Sequence, residues 1–157
     1  VRPTSPVQTW SADRVANTPN AFIGEHHTQM SVARAVSLLE DPQFDHAKPV
    51  YMLNLLQYAG ATGKSRHDAY VAGGGNSFPG GSLGRQFGLR VVYSARQTFA
   101  SLIGTDDWDS VALVSYPSIH HFLSMGAHPA YIKLHEGRID GLGKTYIVAL
   151  QPRLIAQ

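Results

Sequence analysis

The sequence contains no cysteine, which excludes disulfides, thiol nucleophiles and thiolate metal sites. Charge is scarce as well. Asp, Glu, Lys and Arg together make up 15% of the 157 residues, where about 25% is usual for a soluble domain. A chain so poor in charge has little with which to cover its surface, and part of that surface is expected to be buried against a second copy. The 13 basic and 11 acidic residues leave a net charge of +2 with no long basic run. The isoelectric point of about 9.0 therefore reflects small totals, and no nucleic-acid-binding patch is expected. No apolar stretch approaches the roughly 18 residues needed to cross a membrane, so no membrane span is expected. The opening Val1-Arg2-Pro3-Thr4-Ser5-Pro6 lacks the character of a secretory signal, and the compartment stays open.

What is present fits one core and falls short of two ordinary domains. Residues 1–30 are rich in Pro, Thr, Asn and Gln with little periodicity, and read as an extended arm, packed on the body or on a partner or else a loose terminus, preceding a single domain over 31–157. Ser31 is placed to cap a helix running to about Glu40, with Val32, Val36 and Leu39 on one face. Pro49 to Tyr58 is almost continuously apolar, as expected of a central strand covered on both faces. Lys64 to Ala72 suits a short helix. Ala72 to Gly84 holds six glycines and Pro79 and reads as a loop. Leu89 to Ile103 alternates as a strand, with Gly104-Thr105-Asp106-Asp107 as a turn into a partner strand over Trp108 to Tyr116. Ser118 opens a helix, His128-Pro129 interrupts it, and a second helical segment is expected from Ala130 to about Ile139, ended by Gly141 and Gly143. Lys144 to Leu150 is the last strand. Without the leading helix the order is βαββαβ, the ferredoxin-like plan: an α+β fold whose antiparallel sheet carries its helices on one face. The other face then needs a cover, and a second subunit is the simplest one.

Several segments carry a resemblance in their order and spacing. They are Pro49-Val50-Tyr51-Met52-Leu53-Asn54-Leu55-Leu56, Trp108 through Pro117, Phe122-Leu123-Ser124-Met125, His128-Pro129-Ala130-Tyr131, and Arg138 seven residues after Tyr131. Together, over roughly residues 48 to 151, they resemble the domain-of-unknown-function thirteen-thirty family of dimeric α+β barrel proteins. The resemblance implies a homodimer of ferredoxin-like protomers with a pocket between sheet and helices. It implies no particular reaction, because the wider superfamily hosts monooxygenases without cofactors, isomerases, cyclases, a lyase and haem-degrading enzymes. The arm, the glycine-rich loop and the Ile139-Asp140-Gly141-Leu142-Gly143 continuation depart from the family pattern.

The residues that promise chemistry are concentrated on the last helix. Tyr131, Leu134, His135 and Arg138 follow i, i+3, i+4, i+7 spacing and share one face. Tyr131 supplies a proton donor, His135 a base and Arg138 an anion clamp. A guanidinium nearby would also hold an imidazole neutral and able to act as a base. The bland alternative is a half-exposed helix face. Asn54, inside the apolar strand, either lines the pocket or bonds a neighbouring segment, since a buried amide requires hydrogen bonds. Tyr58 shares its strand face. Arg90 and Tyr93 fall on opposite strand faces unless a bulge intervenes. Trp108 reads as core or rim packing, or as a pocket wall, and Asp109 as a partner for Arg138 or Arg90. Phe78, in the glycine-rich loop, is placed to close over a pocket.

Eight histidines are present, including the adjacent pairs His26-His27 and His120-His121, but none shows helical metal-ligand spacing and no metal site is expected. Gly60-Ala61-Thr62-Gly63-Lys64-Ser65 ends like a phosphate-binding loop, yet Tyr58 stands where that motif requires glycine. Ser65, His67 and Asp68 are too close in sequence to form a catalytic triad. The expectation is a small homodimeric enzyme without a cofactor, acting by acid–base chemistry on a small carbonyl or phenolic metabolite as isomerase, cyclase or lyase. The alternatives are a non-catalytic small-molecule-binding protein and a monooxygenase, cofactor-free or haem-linked.

Overall fold

The structure, a computed structural model, describes residues 7–18, 30–73, 82–95 and 98–153. Its elements in chain order are α1 (Ala12–Asn17), α2 (Val32–Glu40), β1 (Val50–Tyr58), α3 (Gly63–Gly73), α4 (Ser82–Gln86), β2 (Arg90–Ala95), β3 (Ser110–Tyr116), α5 (Ile119–Gly126), α6 (Pro129–Gly141) and β4 (Leu142–Leu150). The fold is α+β. Its four strands form one sheet in the order β2-β3-β1-β4, with every neighbouring pair antiparallel.

The continuous apolar run of β1 takes an interior position between β3 and β4, as its composition demands. Side chains alternate across it. Val50, Met52 and Leu56 are buried on the face that meets the helices, where Val50 and Met52 join Ile119, Leu123 and Met125 of α5. The opposite face carries Tyr51, Leu53 and Leu55. Leu150, Val148 and Tyr146 lie beside them on β4, and Ser115, Leu113 and Val111 on β3. None of these is buried, and Tyr146, Val148 and Leu150 keep 41–48% of their surface. The sheet is thus covered by helices on one side and apolar but open on the other.

The helix expected after Ser31 forms, and the Ser31 hydroxyl accepts from the Arg34 amide. The second strand ends earlier than its alternation suggested, at Ala95. The described part of the following segment is a loop whose Phe99, Leu102 and Ile103 are 85–100% exposed, so β2 and β3 pair without the short turn expected at Gly104. The partner strand likewise begins at Ser110 and not at Trp108.

Two further expectations are corrected. Part of the supposed N-terminal arm is a core element. Trp10 and Val15 are 2% and 0% exposed, and α1 packs on α2. Four hydrogen bonds tie this segment to α5: Trp10 Nε1 and the Gln8 amide donate to Ser124 Oγ, the Ser124 hydroxyl donates to the Gln8 carbonyl, and the Trp10 amide donates to His120 Nδ1. The end of the glycine-rich stretch is also structured. Leu83 in α4 is 4% exposed, and Gly88, at φ 71°, ends that helix with Leu89 N–H donating to Gly84 C=O and Gly88 N–H to Arg85 C=O. That paired closure needs a left-handed residue, which glycine adopts without steric cost. Phe78 and the His26-His27 pair lie outside the described residues.

Candidate functional site

Helix α6 begins with Pro129 at its first position and with the His128 ring accepting from the Ala130 amide, so its first turn is both pre-shaped and capped. Tyr131 and His135, one turn apart, bring their rings to 5.3 Å. His135 and Arg138 are each 6% exposed, so this face turns inward and is not a solvated surface. The helix runs directly into β4, which carries Thr145 back to Arg138: Nη2 donates to Thr145 Oγ1 at 3.3 Å.

The structure adds residues that sequence reasoning missed. Helix α3 packs along α6 and delivers His67 and Tyr70, each 8% exposed. The His67 ring stands 5.6 Å from Tyr58 and 5.7 Å from Tyr70. Tyr70 hydrogen-bonds to Tyr131, so the two helices are linked across the cluster. Tyr116, at the end of β3, is a further buried phenol sensitive to both Tyr131 and Arg138. The signal for α3 was present as His67 and Tyr70 at i, i+3 spacing on the helix expected over 64–72, with Gly63 one turn before His67.

Glycine explains how the helices come this close. A Cβ on Gly141 would sit 2.7 Å from the His67 amide nitrogen and 3.0 Å from both Gly63 O and His67 Cα. A Cβ on Gly137, one turn earlier, would meet Tyr70 Cβ at 3.3 Å. Gly141 was expected to end the helix. Its larger role is to let the backbone of α3 lie against that of α6.

The electrostatics follow from burial and from one cation. Burial, reinforced by Tyr131, pushes the Tyr70 and Tyr116 phenols well above 10, against the opposing pull of Arg138. Both remain protonated and able to donate. His67 is lowered to about 4, chiefly by burial, next by Arg138, with Lys64 adding and Asp68 opposing. The neutral imidazole held beside a guanidinium was expected at His135. His67, from a helix the sequence did not connect to Arg138, is an imidazole held in this way.

The other candidate residues divide between the two faces. Asn54 donates through Nδ2 to the Met52 carbonyl at 3.0 Å and to the Ala112 carbonyl at 3.4 Å, so its amino group serves the sheet backbone. The bulge foreseen as a possibility occurs. Val91 pairs with Val114 and Tyr93 with Leu113, which leaves Val92 extra and turns Arg90 and Tyr93 to the same face. That face is the open one, and both residues are exposed, away from the α6 cluster. Trp108 stacks edge-on at 5.3 Å against Tyr146 of the open face, with the Lys144 ammonium 5.7 Å from its ring, a rim packing. Asp109 accepts from the Tyr58 amide at 2.7 Å, in place of the arginine partners expected for it.

Among the described residues no group of three or more His, Asp or Glu is arranged to hold a metal, and no helix is long and apolar enough to cross a membrane. His120, His121 and His128 have hydrogen bonds to the Trp10 amide, the Ser118 hydroxyl and the Ala130 amide.

No model of a known protein family matches the chain, and no curated protein matches it. Among solved structures it is similar to RPA0582, a protein of unknown function from Rhodopseudomonas palustris. The two are 25% identical over 81% of this chain and 97% of that one, with a TM-score of 0.65. The methylated form of RPA0582 superposes with a TM-score of 0.68 at 25% identity, covering 83% of this chain and 98% of that one. The likeness spans almost the whole of those chains and carries no assigned activity.

Proposed function

We propose that the chain is a ferredoxin-like protomer of the dimeric α+β barrel type, akin to the domain-of-unknown-function thirteen-thirty family. In this reading the cluster between α3, α6 and the sheet is the active site of a cofactor-independent acid–base enzyme. The strand order β2-β3-β1-β4, with each βαβ half stepping over one strand, supports the protomer. The open apolar face supports the dimer. A contiguous apolar patch of several hundred Å² is rarely left to water, and a second copy presents a face of the same shape and chemistry.

The observation that carries the enzymatic reading is the burial of His67, His135 and Arg138 together with Tyr70 and Tyr116. Such groups are costly to bury, and a cluster with perturbed protonation equilibria is characteristic of a working site. The class is isomerase, cyclase or lyase, and the substrate is a small carbonyl or phenolic compound. His135 takes the proton next to the carbonyl, and the electron pair moves to the carbonyl oxygen. Arg138 holds the developing oxyanion and Tyr131 donates to it.

Deuterium exchange tests this before the substrate is identified. A panel of small enolisable ketones, ketoacids and phenols in D2O, followed by proton NMR, reads proton abstraction directly. The wild type is expected to accelerate exchange of a subset. His135→Ala and Tyr131→Phe should slow it by about 10²–10⁴, the usual contribution of a positioned acid or base. Exchange at the solvent rate across the panel, or undiminished exchange in both variants, would overturn the reading. Tight binding without exchange would mark a non-catalytic binding protein.

A further inference from the structure

We propose that the loop between β2 and β3 is an arm that grips a second copy of this chain, with Leu102 and Ile103 at its tip and Phe99 at its foot buried against the other protomer. This rests on the dimeric reading above and names the part of the chain that, besides the sheet, makes the dimer. The first observation is exposure. Leu102 is 100% exposed, Ile103 95% and Phe99 85%. A single apolar residue on a surface is ordinary, but three large ones within five positions form a patch.

The loop holds its own shape. The Ser101 amide donates to Asp107 Oδ1 at 3.1 Å, and the Ser101 hydroxyl donates to the Asp106 carbonyl, so residues 101–107 close on themselves. Gly104 turns the tip at φ 93°, and a Cβ there would meet nothing within 4 Å, so the tip stands clear of the body. The base is fixed as well. The Ser110 hydroxyl donates to the Ala95 carbonyl at 3.0 Å, and the Asp109 amide to the Leu56 carbonyl at 2.8 Å. An arm shaped in advance loses little conformational freedom when it binds.

The anchors of the loop place it on the open side of the sheet. Gln57 and Lys144 are cross-strand partners. Each lies two residues from an open-face position, Leu55 on β1 and Tyr146 on β4, so both side chains stand on that face. Gln57 Nε2 donates to the Asp107 carbonyl at 3.1 Å, and Lys144 Nζ pairs with Asp106 Oδ1 at 2.6 Å. The same ammonium lies 5.7 Å from the Trp108 ring and 5.5 Å from the Tyr146 ring. The returning limb is thus clamped to the apolar face, at the end where β4 begins.

Area and charge select the occupant. Phe99, Leu102 and Ile103 offer on the order of 500 Å². Tyr93, Tyr146, Val148 and Leu150, at 41–59% exposure, bring the apolar area to about the 800 Å² that each partner gives to a standard interface. The loop supplies more than half of it, so a dimer that left the loop in water would fall short. A two-fold dimer uses each contact twice, and the second copy's arm grips back. An anionic lipid surface suits the tip less well. It would meet the carboxylates of Asp106 and Asp107 at the neck of the loop, where Lys144 offsets the first and a neutral amide holds the second.

The test uses the full chain, whose lack of cysteine lets Ile103→Cys carry a nitroxide label at one position. Its electron paramagnetic resonance spectrum should be broad at dimer-forming concentration, and narrow when Val148→Arg is added to separate the protomers. Sedimentation equilibrium should find that Leu102→Ser combined with Ile103→Ser weakens the dimer by about a hundredfold or more, since four altered side chains enter every dimer. Both side chains are exposed in the protomer, so the melting curve of the separated chain should not change. A mobile label on a wild-type dimer, or a loop variant that dimerises like the wild type, would overturn the arm and leave the dimeric reading standing. A wild-type chain that stays monomeric would remove both. Immobilisation of the label on vesicles of phosphatidylcholine and phosphatidylserine, in place of a second copy, would reassign the tip to a lipid surface and likewise overturn the proposal.

Discussion

Replacing Gly141 by alanine tests the contact that assembles the site. The added methyl would lie 2.7 Å from His67 N, 3.0 Å from Gly63 O and 3.0 Å from His67 Cα. All three atoms belong to backbone, so no side chain can rotate out of the way. Overpacking of this kind costs about 1–3 kcal/mol. Alanine is the better helix former by up to about 1 kcal/mol, but Gly141 is the last residue of α6, where little of that gain applies. The net expectation is a loss of about 1–3 kcal/mol, measured by urea denaturation with unchanged slope, or about 2–4 °C in melting temperature for each kcal/mol lost. Gly137→Ala is the control. Its methyl would meet only Tyr70 Cβ at 3.3 Å and Tyr70 Cα at 3.8 Å, and it lies within the helix, so crowding and propensity roughly cancel. In Gly141→Ala the separation of α3 and α6 should also release His67 toward an ordinary titration near 6.5. A Gly141→Ala protein as stable as wild type, with His67 unmoved, would refute the close approach of the two helices.

Three further outcomes follow from named contacts. Unfolded histidine binds a proton below 6.5, whereas folded His67 does so only below about 4. Between those values the unfolded chain holds more protons and stability falls as pH falls. The full interval corresponds to about 3 kcal/mol, reduced to about 2 by solvent screening. His67→Gln should flatten part of this slope, the remainder including His120 and His121, both lowered chiefly by burial. Equal acid sensitivity in both proteins would show that His67 is not held neutral. Trp10→Phe keeps an aromatic ring in the core but removes the Nε1–H donated to Ser124. It should cost about 1 kcal/mol in denaturant unfolding, and no change would mean that the Nε1–Ser124 hydrogen bond contributes nothing to the tie between the N-terminal segment and α5. Val148→Arg puts a charge on the open sheet face. Light scattering should report a wild type of twice the chain mass and a monomeric variant, and a monomeric wild type at micromolar concentration would remove the case for the dimer.

Much of the secondary structure was legible because it depends on near neighbours. The apolar run at Pro49–Tyr58 read as a central strand because a run without alternation suits a strand covered on both faces, although in the single chain only the face of Val50, Met52 and Leu56 is buried. Ser31 marked a helix start because its hydroxyl reaches the Arg34 amide three residues on. The face shared by Tyr131, His135 and Arg138 was visible because helical spacing is local. The N-terminal segment was harder. Six helical residues carry too short a period to detect, and burial of Trp10 and Val15 depends on α2 and α5, which are distant in sequence. The end of β2 at Ala95 was lost for a related reason. Alternation continues past the point where the strand loses its partner.

By itself, then, the sequence determined the class of the fold, the order of most of its elements and the one helix face rich in acid–base groups. All of these follow from residue type and period. Only the tertiary structure decided what stands opposite that face. It is Gly141, not a motif, that admits His67 to the neighbourhood of Arg138, and a bulge at Val92 that turns Arg90 and Tyr93 away from it. Both are relations between segments far apart in the chain, set by how closely two backbones approach and by which residue a strand leaves unpaired, and a local pattern holds no record of either.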